Sequence, residues 1–194
     1  CSIPRIRISS LQPQIIDEEL INLWSNPRLC PHFHIPLQSG SDKLLGRMKR
    51  RYNTSMFKEK VNLIRDLVPK ASITTDVIVG FPGESNSDFQ NTYDLCQEIE
   101  FAYTHTFPYS NRPGTSAAHF DNTVQPLVKR ERVNRLMELS KKKEDAYMDN
   151  LVGQIRPVLW ENAKHKDNQY LWTGLTDNWI QHLSLQYRGW HSVC

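Results

Sequence analysis

The sequence lacks closely spaced cysteines. Its 194 residues include four, at positions 1, 30, 96 and 194, so no CxxC, CxxxC or zinc-knuckle spacing occurs. A disulfide scaffold does not suit a chain of this size and spacing, which favours a reducing, cytoplasmic setting. The sequence also lacks an apolar run of about 18 residues, and residues 1–20 lack a signal-peptide pattern, so it predicts no membrane segment.

An excess of charge of one sign is also absent. The chain has 24 Lys and Arg against 21 Asp and Glu, for a net charge of +3, with 39% hydrophobic and 23% charged residues. This mixture excludes disordered, collagen-like and coiled-coil proteins. A globular chain of this length holds one domain, or one domain with a small appendage. Because the chain begins with Cys1 rather than Met, within a predicted strand, we expect it to be part of a longer protein.

Strands and helices alternate in the first part of the sequence. Runs of β-branched residues predict strands at residues 3–9, 32–37, 73–79 and 102–107. Helices are predicted from Asp17, from Asp42 and over 54–68, and Ser87 with Gln90 predicts a capping box for another. The order β-α-β-α-α-β-α-β predicts an α/β fold with a parallel sheet, either open or part of a (βα) barrel. In both arrangements ligands bind at the carboxyl ends of the strands.

The pattern changes after residue 125. Residues 126–153 predict a long, basic, amphipathic helix that packs on the barrel, and short strands follow at 158–160, 170–172 and 179–185. These strands predict a small β-barrel of which only three of about five strands are visible. We therefore divide the chain into a partial (βα) barrel at 1–125, the helix at 126–153 and a partial β domain at 154–194.

Two histidines on the second predicted strand suggest one kind of site. His32 and His34 lie on the same face of the strand because side chains alternate. With Asp76 and His105 from later strands they could bind a metal ion, as in metal-dependent hydrolases. The alternative is that the histidines form hydrogen bonds in the interior, because an HxH pattern alone is a weak signal.

Clustered cations and tryptophans suggest a second kind of site. Two groups of basic residues suit contacts with RNA phosphates: Arg50 and Arg51, and Lys141, Lys142 and Lys143. The side chains of Trp160, Trp172 and Trp179 could stack on bases or form the core of the small barrel. A non-catalytic RNA-binding module is therefore one hypothesis for the function.

Four motifs occur in order at suitable spacing: RIRISSLQP at 5–13, HIPLQSGSD at 34–42, TDVIVGFPGE at 75–84 and FPYSNRPGT at 107–115. Together they resemble the radical S-adenosylmethionine methylthiotransferases that modify tRNA. The wording of the first two motifs is most similar to the subgroup acting on threonylcarbamoyladenosine beside the anticodon. A neighbouring subgroup acts on isopentenyl-adenosine.

The resemblance implies the second half of a radical S-adenosylmethionine barrel followed by part of a TRAM-type RNA-binding domain. In such enzymes an adenosyl radical removes hydrogen from C2 of adenine, and a methylthio group is inserted. The implied substrates are tRNA and S-adenosylmethionine, with the four-iron clusters as cofactors. The resemblance places these residues in the cofactor and substrate pocket: Ser10, Gln38, Ser39, Asp76, Gly83 and Arg112.

The cluster ligands of the family are not found in this sequence. The family binds one cluster with a CxxxCxxC loop and a second with three cysteines of an N-terminal region, and neither set occurs here. Because thiolates hold such clusters, we expect the isolated chain to be inactive. We assign no catalytic or metal-binding side chain within it.

Overall fold

The computed structural model describes residues 3–166 and 169–187. It contains five α-helices and six strands in these residues, in the order α1 (Glu18–Asn22), β1 (His32–His34), α2 (Asp42–Arg47), α3 (Thr54–Leu67), β2 (Ser72–Val79), α4 (Asn86–Ile99), β3 (Tyr103–Pro108), α5 (Pro126–Asp149), β4 (Val158–Lys166), β5 (Gln169–Thr176) and β6 (Gln181–Tyr187). Short 3-10 helices lie at Pro13–Ile15, Leu23–Ser25 and Ser116–His119. None of the helices described is both long and apolar enough to cross a bilayer.

Strands β1, β2 and β3 form a parallel sheet in that order. The strands are joined through helices, α2 and α3 between the first two and α4 between the second and third. The predicted α/β fold with parallel strands is therefore confirmed. In the register, His34 pairs with Thr74, and Asp76 pairs with His105.

The two faces of the parallel sheet differ in polarity because side chains alternate along each strand. One face presents buried apolar residues such as Phe33 and Val77, which pack in one core with Phe57 of α3, Leu95 of α4 and Leu136 of α5. Burying each such side chain stabilises the fold by about 1.5–3 kcal/mol. The opposite face carries the side chains of His34, Asp76 and His105.

Helix α3 follows the sequence pattern closely. The predicted span of 54–68 appears as Thr54–Leu67, with Phe57, Val61 and Ile64 buried. The side chain of Asn53 accepts a hydrogen bond from the amide of Met56, which caps the first turn. A regular apolar spacing and a capping residue together therefore define this helix.

Helix α4 begins earlier than the sequence pattern indicates. The capping box predicted for Ser87 and Gln90 is wrong, because the structure forms it with Ser85 and Asp88. The Ser85 hydroxyl accepts the amide hydrogen of Asp88, and Asp88 accepts that of Ser85. Asp88 also accepts the hydroxyl of Ser41 at 2.7 Å, so a tertiary contact favours this frame.

The predicted first strand is wrong as a regular strand. Residues 3–9 contribute a single isolated bridge between Ile6 and Leu29. The second predicted strand, 32–37, is shortened to His32–His34. Pro36 has no amide hydrogen to continue the ladder, and its carbonyl accepts the hydroxyl of Tyr52 instead.

The segment after α5 forms a three-stranded antiparallel sheet in the order β4-β5-β6. Strands β4 and β5 are longer than the sequence pattern predicts, and β6 has the predicted length but lies two residues later. The register of β4 shifts between Trp160 and Asn162. Residues 188–194 of the predicted β domain lie outside the described residues. Helix α5 packs along β3, where the Ser140 hydroxyl accepts the amide hydrogen of Thr104 at 3.0 Å.

Candidate functional site

A cavity of about 310 Å3 opens on the polar face of the parallel sheet. Its walls come from the segment before α1, from the three strands and from the turn between β5 and β6. The residues that line it are Arg7, Ser9, Ser10, His32, His34, Thr74, Asp76, His105, Phe107 and Trp179. The cavity therefore combines hydroxyl, imidazole, carboxylate, guanidinium and aromatic groups.

Ser10, His34 and Asp76 form a chain of polar contacts in this cavity. The Ser10 hydroxyl lies 3.4 Å from Nδ1 of His34, and Nε2 of His34 lies 3.1 Å from Oδ1 of Asp76. Ser10 has a φ of 60°, in the left-handed region that few non-glycine residues adopt. The structure thus brings together two of the predicted pocket residues, Ser10 and Asp76, through a histidine.

The four residues of the hypothesised metal site have other partners. Nε2 of His32 lies 2.9 Å from the Thr74 hydroxyl, and its ring stacks on Trp179 at 5.1 Å. Burial, aided by Arg7, lowers the pKa of His32 to about 3, so its imidazole is neutral at neutral pH. Burial also lowers the pKa of His105. In the part of the chain that the structure describes, no three His, Cys, Asp or Glu side chains are placed to hold a metal ion, so the four residues do not form the metal site that the hydrolase hypothesis requires.

Gln38 and Ser39 form the loop that follows β1. The amide of Gln38 donates to the carbonyl of Asp76 at 2.8 Å, and its carbonyl accepts the amide hydrogen of Ile78 at 2.9 Å. Gln38 has a φ of 65°. Ser39 has no exposed surface, and its hydroxyl contacts that of Thr92 at 3.3 Å. These two residues shape the loop and contact the backbone beside Asp76, and their side chains do not line the cavity.

The loop after β2 depends on two glycines with positive φ, Gly80 at 73° and Gly83 at 80°. The amide of Gly83 donates to the carbonyl of Asn122 at 2.8 Å, and the amide of Gly80 donates to Oε2 of Glu84 at 2.7 Å. A side chain at Gly83 would meet the guanidinium of Arg47. Gly83 therefore keeps this loop closely packed and does not line the cavity.

Glu84 is held by a buried ion pair with Arg132 of α5. Nη1 of Arg132 lies 2.5 Å from Oε2 of Glu84, and Nη2 donates to Oδ1 of Asn86 at 2.8 Å. Burial raises the pKa of Glu84, although the Gly80 amide and Arg132 act in the opposite direction. The ion pair ties the long helix to the loop after β2.

The loop after β3 contains the sixth predicted pocket residue, Arg112. Its guanidinium is exposed and outside the cavity wall, and its carbonyl accepts the hydroxyl hydrogen of Thr115 at 2.8 Å. The loop starts at the same end of the sheet as the others, because the amide of Tyr109 donates to the carbonyl of Val79 at 2.8 Å. Three loops thus meet at the carboxyl ends of the strands.

The sequence pattern does not assign Arg7, Thr74 or Phe107 to the cavity, and it indicates Trp179 only as a residue that stacks on bases or forms the core of the small barrel. The guanidinium of Arg7 lies 5.4 Å from the ring centroid of Trp179. Trp179 contacts His32 and His105 of the parallel sheet, so it lines the cavity and does not form the core of a separate barrel. The sequence does contain an indication for Arg7, because Arg7 alternates with Ser9 on the segment that carries Ser10.

The predicted RNA-binding residues differ in their availability. Arg51 and Lys142 are exposed. Lys141 pairs with Asp145 at 2.8 Å, and Lys143 lies 3.7 Å from Glu100. Nε of Arg50 is buried without a hydrogen-bond partner. Among the described residues of this group, Arg51 and Lys142 are therefore the cations available to contact a phosphate.

The cysteines of the described residues do not fit an iron–sulfur cluster. Cys30 and Cys96 are free and buried, and burial raises the pKa of the Cys96 thiol to about 12. These two residues are far apart in the sequence and do not form the CxxxCxxC spacing of a cluster-binding loop. Cys1 and Cys194 lie outside the described residues.

Comparison with known proteins places the chain in a family. Residues 2–96 match the Radical SAM superfamily. The chain is 44% identical, over 81% of its length, to the threonylcarbamoyladenosine tRNA methylthiotransferase MtaB of Thermotoga maritima. It is 39% identical, over 93% of its length, to the tRNA-2-methylthio-N(6)-dimethylallyladenosine synthase of a Thermoanaerobacter species. The chain spans 36% and 38% of the lengths of these two proteins.

The fold has a counterpart among solved structures. Coproporphyrinogen III oxidase (HemN) from Escherichia coli, a radical SAM enzyme, matches with a TM-score of 0.61 and 15% identity, over 72% of this chain and 32% of that one. At this identity the likeness concerns the fold alone. Residues 2–96 thus match the radical SAM superfamily, and the curated relatives that the chain matches over most of its length are tRNA methylthiotransferases.

Proposed function

We propose that this chain is part of a cytoplasmic tRNA methylthiotransferase that adds a methylthio group to C2 of threonylcarbamoyladenosine beside the anticodon. Two observations together support the proposal: the chain is 44% identical to such an enzyme, and a polar cavity opens on its parallel sheet. Three of the residues that line the cavity, His34, Asp76 and Phe107, lie in the carboxyl-terminal halves of their strands, and ligands of parallel α/β sheets bind at that end.

The chemistry of the cavity suits S-adenosylmethionine. Asp76 offers a carboxylate to a sulfonium or ammonium cation, and Ser10 offers a hydroxyl to a ribose or an amino acid group. His34 fixes both, because one of its ring nitrogens meets each of them. Bound S-adenosylmethionine supplies an adenosyl radical when it is reductively cleaved.

The other four predicted cofactor residues shape or flank the site in this proposal. Gln38 and Ser39 hold the loop after β1 against β2 and α4. Gly83 permits the tight turn after β2, and the exposed guanidinium of Arg112 is free to reach a ligand from the loop after β3. We keep all four as proposed contributors to the S-adenosylmethionine site.

We propose that the iron–sulfur ligands of the active enzyme come from residues outside this chain. Reconstituting the purified chain with iron, sulfide and a reductant is expected to give no cleavage of S-adenosylmethionine above a protein-free background, because Cys30 and Cys96 are buried. Formation of 5′-deoxyadenosine is the measurement. Robust cleavage that disappears in a C30A/C96A double variant would contradict the proposal.

Binding of RNA tests the same proposal without any cluster. The chain is expected to bind an anticodon stem-loop RNA with an affinity that falls as salt is raised. Arg51→Gln and Lys142→Gln, which remove exposed cations, are each expected to reduce the slope of log affinity against log salt by up to about one. Fluorescence anisotropy across a salt series measures both quantities.

A matched variant controls for the loss of positive charge. Lys58 is paired with Glu98 at 2.6 Å, so Lys58→Gln is expected to leave the salt slope unchanged. Binding that does not depend on salt, or equal effects of all three variants, would contradict the assigned contacts. Strong RNA binding without any affinity for S-adenosylmethionine would favour a non-catalytic RNA-binding module.

A further inference from the structure

Arg7 is a cation beside the cavity without an acidic partner. Its side chain is exposed, and no carboxylate of the described residues forms an ion pair with it. Its contact is with the face of the Trp179 ring, at 5.4 Å from the centroid. The N–H donors of an unpaired guanidinium are available to a ligand, and their planar arrangement matches the two oxygens of a carboxylate.

The charge of Arg7 itself favours an anion at this place. Asp76, the carboxylate of the cavity, is engaged with His34 at 3.1 Å. His32 is neutral, since burial lowers its pKa to about 3. Among the described residues that line the cavity, Arg7 is therefore a cation without an acidic partner.

The other walls of the cavity suit a flat ring with polar substituents. Trp179 and Phe107 provide aromatic surface, and half of Phe107 is exposed. Ser9 provides a hydroxyl on the same segment as Arg7. Bases stack readily on such aromatic side chains. S-adenosylmethionine and a nucleoside base that carries a carboxylate both combine a purine with an anion, and the base is the part that differs between substrates.

We propose that Arg7 binds the carboxylate of the threonyl group of the substrate and so distinguishes this nucleoside from one with an apolar substituent. The inference rests on the proposed function, and names a residue that selects its substrate. The two relatives described above differ in this respect: the name of one contains threonylcarbamoyladenosine, which carries a carboxylate, and the name of the other contains dimethylallyladenosine, which does not.

The test compares three anticodon stem-loop RNAs that differ only in the base next to the anticodon: unmodified adenosine, threonylcarbamoyladenosine or dimethylallyladenosine. The wild-type chain is expected to bind the threonylcarbamoyl RNA about tenfold more tightly than the dimethylallyl RNA, as a charge-assisted contact would give. Arg7→Gln is expected to reduce this ratio to about one, and Arg7→Lys to preserve part of it. Because the three RNAs differ only in one base, any contact of Arg7 with a phosphate affects all of their affinities equally and cancels in the ratio.

Arg130→Gln is the matched control. Arg130 is exposed on α5, outside the cavity wall, so its loss changes the net charge equally and is expected to leave the ratio unchanged. A wild-type ratio near one, or a ratio that survives in Arg7→Gln, overturns the inference while RNA binding itself upholds the proposed function. If the wild-type chain binds none of the three RNAs, the proposed function fails, and the inference fails with it.

Discussion

Replacing Arg132 with methionine is expected to lower the free energy of unfolding by about 3–5 kcal/mol, because removing one partner of a buried ion pair leaves the other charge without compensation. Both side chains are almost completely buried, and Nη1 of Arg132 lies 2.5 Å from Glu84. The second carboxylate oxygen of Glu84 is buried without a hydrogen-bond partner among the described residues. Arg132 is therefore the main source of compensation for this carboxylate.

The loss of stability in Arg132→Met is expected to depend on pH. Burial already raises the pKa of Glu84 in the folded protein, and removing the cation raises it further. A carboxyl group with a raised folded pKa contributes stability at pH values below its unfolded pKa, and loses that contribution as the pH rises through the folded pKa. The variant should therefore be destabilised less at about pH 5 than at about pH 8.

Urea denaturation at both pH values measures this prediction, and Arg130→Met on the same helix is its control. Arg130 is exposed, so its replacement is expected to change stability by no more than about 0.5 kcal/mol. Glu84→Gln in the Arg132→Met background should recover part of the loss at about pH 8, because it removes the unpaired charge. Equal destabilisation at both pH values would show that lost packing, and not the buried carboxylate, causes the effect.

The elements that the sequence predicts well are those whose pattern is local. Helix α3 has apolar residues at Phe57, Val61 and Ile64, and a local cap, Asn53. Local patterns mispredict the start of a helix where a contact with a distant residue selects between two possible capping residues. Ser85 and Ser87 both offer a plausible cap, and the bond from Ser41 to Asp88 favours the earlier one. The first predicted strand fails for a similar reason, since its β-branched residues form a single bridge to Leu29.

The sequence predicts that the site lies at the ends of the strands, but it does not predict which side chains meet there. Ser10 and Asp76 follow from their places in the motifs, and the structure joins them through His34. Trp179 lies more than 100 residues from these groups in sequence, and no local pattern indicates that the turn it occupies contacts His32. A long-range contact of this kind depends on how α5 and the second sheet pack on the first, which periodicity does not encode.

Gly40 shows how closely the loop after β1 packs on the rest of the fold. A methyl group there would lie 2.5 Å from Cα of Thr92 and 2.7 Å from the carbonyl oxygen of Asn91, both backbone atoms of α4. The Gly40 amide also donates to the hydroxyl of Thr92 at 2.9 Å. Because backbone atoms cannot rotate away as a flexible side chain can, the loop or the helix must shift to admit the methyl group.

Gly40→Ala is therefore expected to lower the free energy of unfolding by about 1–3 kcal/mol, the usual cost of overpacking. Gly46→Ala is the matched control, since a methyl group on Gly46 of α2 meets nothing within 4 Å. Alanine in an exposed helix should raise stability by about 0.5–1 kcal/mol. Guanidinium chloride denaturation of both variants measures the difference. If both variants were stabilised, the loop could move away from α4 at no cost, and the position of Gln38 against Asp76 would not depend on the close packing of Gly40.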